Sequence, residues 1–383
     1  MEGKSFLRSI QLKNLLSYGE EGVALELEPL NVLIGPNASG KSNLIEAISL
    51  LAATPRDLLV PIREGGGVLD WLWKGARTPK AEVSASLSWS KGDLLYWFSF
   101  TSVNSRFQLI GERLEDSSSK ALYSSGENEK KPVVRLTGSS LVSTAVIDPN
   151  QSIFGQLKDP VRHQEITETG RQFGQIRFFR GFSSGSSSEL RRPQSTDLPD
   201  DFLLEDGSNL GLVLNKLKNH PPTKRLLLEK LKHFYEGIED FETQVQGGTI
   251  QVFMHERGDK TIPAVRLSDG TLRYLCLLAI LCHPEPPPLI CLEEPEAGLH
   301  PDIIPKIAEL LVEASRRTQL IVTTHSDALV SALSETPEAI VVCERGEDGT
   351  TLRRLEPGKL AEWLERYKLG ELWSMGEIGG NRW

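Results

Sequence analysis

The chain has 383 residues, 39% hydrophobic and 25% charged, with a formal net charge of −9. Those values are ordinary for a globular protein; the negative balance argues against a surface coated in positive charge for nucleic acid but allows a local basic groove. No window approaches the roughly 20 apolar residues that cross a bilayer, and the leading MEGKSFLRSIQLKN holds no signal-peptide core, so a cytoplasmic chain is expected, with two or three domains or one large head carrying an insertion.

In chain order, Ser5 to Leu12 and Gly22 to Leu27 alternate like strands, and Asn31 to Ile34 is a short apolar run reading as a buried strand. Gly35, Pro36, Asn37, Ala38, Ser39, Gly40, Lys41 and Ser42 then fit G-x-x-x-x-G-K-[ST], and Asn43 to Ala52 has helical spacing. Small residues let backbone N–H groups converge on phosphates at the positive end of a helix. Lys41 would reach the outer phosphates and Ser42 would offer its hydroxyl to Mg²⁺. Gly35 and the run Asn37, Ala38, Ser39, Gly40, Lys41, Ser42 and Asn43 are therefore the candidate nucleotide contacts. Ala81 to Ser88 and Leu94 to Thr101 alternate like paired strands, and Ser117 to Lys131 is a polar tip or loop. Gly181 to Leu198, rich in Ser, Gly, Arg and Pro, is the expected mobile or partner-ordered segment. Asn209 to Phe241 reads as helix broken at Pro221-Pro222, and Thr249 to Met254 as a strand.

Beyond this point, strands alternate with helices, which calls for a layered α/β sheet. Leu267-Ser268-Asp269-Gly270-Thr271 opens an apolar helix running to Leu281, with Ser268 as N-cap. Leu289 to Leu292 is a buried strand ending in Glu293 and Glu294. One carboxylate there can serve a Mg²⁺ shell and the next can orient or deprotonate a water. Ile303 to Ala314 is an amphipathic helix. Leu320 to Thr323 is a buried strand followed by Thr324, His325 and Ser326, and a histidine there could reach a terminal phosphate. Ile340 to Cys343 and the hairpin-like Glu344 to Leu355 follow. Taken singly, these late features also read as an acidic loop, a satisfied histidine and an ordinary helix cap. The four cysteines (Cys276, Cys282, Cys291, Cys343) form no CxxC pair and read as packing residues.

The order of the motifs is what distinguishes them: phosphate loop, long gap, Ser-x-Gly helix start, Glu-Glu strand, then histidine. It resembles the ABC-type ATPase heads of the RecF and SMC class, covering roughly half the chain. LSDGT is similar to the family signature, with Asp269 in place of the first of its two usual glycines. LICLEEPEAGLHP is similar to the acidic Walker B strand and the dimer-contacting loop after it. The resemblance implies ATP and Mg²⁺, with Lys41 and Ser42 on the phosphates and metal, Glu293 as magnesium-side carboxylate, Glu294 as catalytic base and His325 as switch histidine. It implies two copies face to face, Ser268 and Gly270 acting in trans on the partner's nucleotide. It also calls for a glutamine at the metal; Gln151 is the candidate and Gln156 its rival.

The expected fold is α/β: a P-loop head with a mixed central sheet, an antiparallel β lobe and an inserted helical lobe. No heptads separate Ser42 from Leu267, which departs from SMC proteins and favours a compact RecF-like or OLD-like head. Too little chain follows His325 for the nuclease domain that OLD proteins carry. Residues 1–150 are expected to form the first ATPase lobe, 151–255 an inserted, largely helical lobe, and 256–383 the second ATPase lobe. The chain is also similar to stand-alone ATPases of bacterial anti-phage systems, such as the ATPase component of PARIS, which work with a separate effector. The leading expectation is thus an ATP-hydrolysing, nucleotide-gated homodimer or higher oligomer that works with an effector protein and no membrane. A RecF-like DNA-repair ATPase is the alternative, motivated by Arg177, Arg180, Arg191 and Arg192; a transporter subunit or a kinase fits less well. The closing peptide Gly376 to Trp383 suggests a docking segment or a frayed tail.

Overall fold

The computed structural model describes residues 3, 5–77, 79–126, 132–135, 142–143, 148 and 150–380. Parts of the polar stretch 117–131, Pro149 beside the candidate glutamine, and residues 381–383 of the closing peptide lie outside them.

Among the described residues, the central sheet has six strands in the order Arg177–Phe179, Leu289–Glu293, Gln319–Thr323, Leu30–Ile34, Ile340–Gly346 and Gly349–Arg354. The first five run parallel and the last closes an antiparallel hairpin. A parallel sheet is covered on both faces, so its strands read as unbroken apolar runs rather than alternating ones. The period of two then sorts the side chains. Leu30, Val32, Ile34, Ile290, Leu292, Leu320, Val322, Ile340 and Val342 enter one core, which the signature helix Asp269–Leu281 and the helix Ile304–Ser315 cover. Leu33, Leu289, Cys291, Ile321, Val341 and Cys343 enter the other, beneath the phosphate-loop helix Lys41–Ala53. Each such side chain, fully buried, stabilises the fold by roughly 1.5–3 kcal/mol before entropy is counted.

Against that second core lies an antiparallel sheet ordered Val23–Glu26, Leu7–Lys13, Lys80–Leu87, Leu94–Val103, Arg106–Glu115, Ala121–Ser125, Val133–Arg135 and Val142–Ser143. Buried Gln319 joins the two sheets. Its carbonyl accepts from the N–H groups of Leu7 (2.8 Å) and Phe6 (3.2 Å), and its amide donates to the carbonyls of Leu7 (2.8 Å) and Glu28 (3.1 Å).

The stretch 209–241 is not helical throughout. Helices Leu210–Lys218 and Pro221–Phe234 end before the strand Ile238–Gln246, which pairs with Thr249–Glu256. The middle segment also supplies Arg177–Phe179, the edge strand beside the acidic strand. The longest helix described, Pro221–Phe234, has 14 residues, so no described element is a long coiled coil. No described helix is long and apolar enough to cross a membrane. The described part of the closing peptide folds back on the chain. The Trp373 indole donates to the Gly380 carbonyl (2.7 Å), Arg353 donates to that of Ile378 (2.8 Å), and the Gly380 N–H donates to Glu344 (2.8 Å).

Candidate functional site

Parallel pairing sends every strand's carboxyl end to the same edge, where α/β sheets hold their ligands. Register makes this specific: Phe179 pairs with Leu292, Glu293 with Thr323, Thr323 with Leu33, and Val342 with Ile34. The residues that follow, Arg180, Glu294, Thr324-His325 and the phosphate loop from Gly35, therefore share one rim.

The loop is shaped for an anion. Gly35 (φ +147°), Ala38 (φ +60°) and Gly40 (φ +99°) take left-handed conformations that turn the backbone inward. A Cβ on Gly35 would lie 2.2 Å from the Cys343 carbonyl, and one on Gly40 would lie 2.5 Å from the Thr350 hydroxyl. The loop is braced from behind: the Tyr18 hydroxyl donates to the Gly40 carbonyl (3.0 Å) and the Thr350 hydroxyl to that of Ser39 (3.0 Å). Lys41 is buried and its ammonium donates to the carbonyls of Gly35 and Pro36, both at 2.8 Å. Burial draws this ammonium below the usual lysine range. Among the described residues, the buried Ser39 hydroxyl has no hydrogen-bond partner. An orphaned donor, an inward lysine and a cradle that any Cβ would fill together fit a bound polyphosphate.

At the rim the Ser42 hydroxyl donates to Glu293 (2.9 Å), and the other Glu293 oxygen faces Arg180 (3.4 Å). A hydroxyl and a carboxylate at the foot of a phosphate loop are a hard-oxygen donor set suited to Mg²⁺. Glu294 takes φ +46°, a costly conformation for a residue with a side chain, with its N–H donating to the Thr323 carbonyl (3.0 Å). Its carboxylate stands 3.8 Å from the His325 imidazole. A third acid, Glu296, is buried and accepts from the Thr324 hydroxyl and the His325 N–H (3.3 Å). Burial raises its carboxyl above the usual range. A cavity of about 310 Å³ opens beside the two carboxylates, lined in part by Arg180, Phe182, Arg273, Glu293 and Glu294.

Lys41, Ser42, Glu293, Glu294 and His325 are thus gathered on one edge. Ser268 lies apart from them as the exposed N-cap of its helix, accepting from the Thr271 N–H (3.0 Å), with half-buried Gly270 in the first turn. The Gln151 amide donates to Asp148 (3.1 Å), and the Gln156 carbonyl accepts from the Asp148 N–H (2.8 Å). Among the described residues, the side-chain hydrogen bonds of both glutamines stay within residues 148–156 and reach neither Ser42 nor Glu293. Tyr18, Thr350, Arg180 and Glu296 were not singled out from sequence as parts of the nucleotide site. For Arg180 the missed signal was a three-residue strand, Arg177–Phe179, too short for any periodicity to show. All four cysteines are buried, and burial pushes the thiols of Cys282 and Cys343 up to about 12.

A profile of the protein family described as "AAA domain, putative AbiEii toxin, Type IV TA system" matches residues 30–89 and 145–331. In sequence, the chain is similar to the DNA replication and repair protein RecF of Gloeobacter violaceus (51% identity over 47 residues) and of Bacillus cytotoxicus (49% over 47 residues). Each match spans 12% of the chain and 12% of the relative. In structure, it is similar to an Smc head bound to the C-winged helix domain of ScpA, with TM-score 0.61 and 14% identity over 93% of this chain and 99% of that one. It is also similar to the SMC head domain from Thermotoga maritima, with TM-score 0.51 and 15% identity over 92% of this chain and 100% of that one. The fold is therefore that of an SMC-like P-loop ATPase head.

Proposed function

The chain belongs to that AAA-domain family, and from this premise we propose that it binds and hydrolyses ATP with Mg²⁺ and acts as a nucleotide-gated dimer that controls a separate effector. The observation that carries the reading is the 2.9 Å bond between Ser42 and Glu293, which unites the phosphate loop with the end of the acidic strand. The loop amides and Lys41 hold the phosphates; Lys41 exchanges its two carbonyl acceptors for phosphate oxygens. Ser42 and Glu293 hold Mg²⁺, which when bound neutralises phosphate charge. Glu294 orients and deprotonates the attacking water, with His325 beside the transferred phosphate. Exposed Ser268 and half-buried Gly270, at the start of their helix, complete the partner's site in trans.

The effector reading rests on the resemblance to anti-phage ATPases. The four arginines that suggested DNA have intrachain partners: Arg177 the carbonyls of Gly174 and Ile176, Arg180 Glu293, Arg191 Asp269, and Arg192 Glu189. Each of the four is thus engaged within its own chain, Arg180 and Arg192 while still about half exposed (54% and 56%). The test is Glu294→Gln, which keeps ATP binding but removes the base. Light scattering with ATP and Mg²⁺ should show a stable dimer that reverts to monomer when Lys41→Ala is added. A chain that stays monomeric with ATP at every concentration refutes the gated dimer.

A further inference from the structure

We propose that Arg191 is the positioning residue of the signature, holding Ser268 in place for the partner copy's nucleotide; this rests on the dimer reading above. Ser268 is exposed, as are Val265 and Arg266, and within its own helix it is tied to the Thr271 N–H (3.0 Å). On the inner side a single guanidinium holds the turn. The Arg191 side chain is only 12% exposed. It donates to the carbonyls of Val265 (3.2 Å) and Leu267, to the Asp269 carboxylate (2.5 Å), and to the Gly185 carbonyl (3.0 Å). Two of these four acceptors, on Leu267 and Asp269, directly flank Ser268, one on each side, and a third, on Val265, lies three residues before it. The Asp269 carboxylate also accepts from the Gly185 N–H (3.1 Å).

The supporting segment is itself anchored. The Ser188 hydroxyl accepts from the Leu190 N–H (3.3 Å), and Leu190 is buried in the main core. Within the segment expected from composition to be mobile or ordered by a partner, Arg191 thus acts as a bracket, and Asp269, where the resemblance leads one to expect glycine, is its anchor point. A planar fork with five donors can serve these divergent acceptors at once; an ammonium cannot. Among the described residues, the side-chain bonds of Arg191 go to the signature turn and to Gly185 of its own segment, so its loss should act through the site it completes on the partner.

The experiment uses the full chain. In the Glu294→Gln background, Arg191→Ala should bind a fluorescent ATP analogue like its parent. Its ATP-dependent dimer should weaken about tenfold or more, the scale of a lost charged hydrogen bond. Arg191→Lys should be nearly as weak. With Glu294 restored, Arg191→Ala and Lys41→Ala should each be inactive alone. Mixed, they should regain hydrolysis, because the intact phosphate loop of the first meets the intact signature of the second. A merely structural defect gives no such rescue. Wild-type dimer affinity in Arg191→Ala, loss of its own nucleotide binding, or a mixture as inactive as its components would each overturn the inference. If the Glu294→Gln parent itself never dimerises, the fault lies in the dimer reading, and this inference falls with it.

Discussion

Glu112 offers a test of the antiparallel lobe with a magnitude that can be worked from the structure. It is fully buried. Its carboxylate accepts from the Tyr96 hydroxyl (2.6 Å), the Ser152 hydroxyl (2.5 Å) and the Ile153 N–H (2.9 Å), tying the short helix Ile153–Gln156 to the sheet. Burial outweighs these three donors and pushes the carboxyl from 4.5 up to about 6. A raised carboxyl favours the protonated folded state, so its contribution is full below pH 4.5 and is lost as pH rises through about 6. At about 1.36 kcal/mol per unit, the loss is about 2 kcal/mol. Glu112→Gln keeps the shape and an acceptor but does not titrate. At about 2.1 cal/mol/K per residue of unfolding entropy, the variant should gain roughly 2–3 °C in Tm relative to wild type between pH 4.5 and 7.5. Thermal melts across that range supply the curve. Any fixed offset from an imperfect amide fit cancels, since only the change in the difference counts. Parallel curves for the two proteins would refute the assignment.

Two further predictions concern the nucleotide rim. Glu296→Ala should lower kcat with little change in KM, because the Thr324 hydroxyl and His325 N–H lose their acceptor, at about 1–3 kcal/mol for a buried donor left unpaired; Glu296→Gln, which keeps an acceptor, should stay near wild type, and steady-state kinetics giving equal kcat for Ala and Gln would sink the idea. Gly380→Val should weaken ATP-analogue binding and lower the melting temperature by only roughly 1–4 °C. Its φ is +63°, and a Cβ there would lie 2.9 Å from the Val342 side chain and 3.3 Å from the Gly35 Cα, pressing on the first residue of the phosphate loop. The strain is on the order of 1–3 kcal/mol, and unchanged affinity by fluorescence titration would show that the tail does not bear on the loop.

The legible parts of the fold were those whose signal is local. Leu30–Ile34, Leu289–Glu293 and Gln319–Thr323 are continuous apolar runs because both faces of a parallel sheet are covered. Gly35 to Ser42 is legible because phosphate chemistry fixes both residue types and spacing. Ile238 to Phe241, the first part of the strand Ile238–Gln246, reads as the end of a helix because its two buried residues, Ile238 and Phe241, stand three apart, and pairing with Thr249–Glu256 makes it a strand. Gln319 looks like an ordinary polar residue at a strand start until the second sheet brings it Leu7 and Glu28 as partners.

The metal-side position shows the same limit more sharply. Gln151 was chosen from its place in the chain, after the first lobe, yet a position in the chain does not fix which sheet edge a residue reaches. Its amide bonds Asp148, and its neighbour Ser152 is held by Glu112 beneath the antiparallel sheet. Register decides what lies beside Glu293: Phe179 pairs with Leu292, so the next residue on that edge is Arg180. The Arg180 side chain is 54% exposed against 19% for Glu293, so the pair is an open one, worth at most about 1 kcal/mol. A divalent cation held by Ser42 and Glu293 would compete with a contact that weak, and its loss would release Arg180. The segment that begins at Arg180 ends at Arg191. One stretch of chain therefore joins the carboxylate of its own nucleotide site to the turn at Ser268, through the Arg180–Glu293 ion pair at one end and the Arg191 hydrogen bonds to Leu267 and Asp269 at the other.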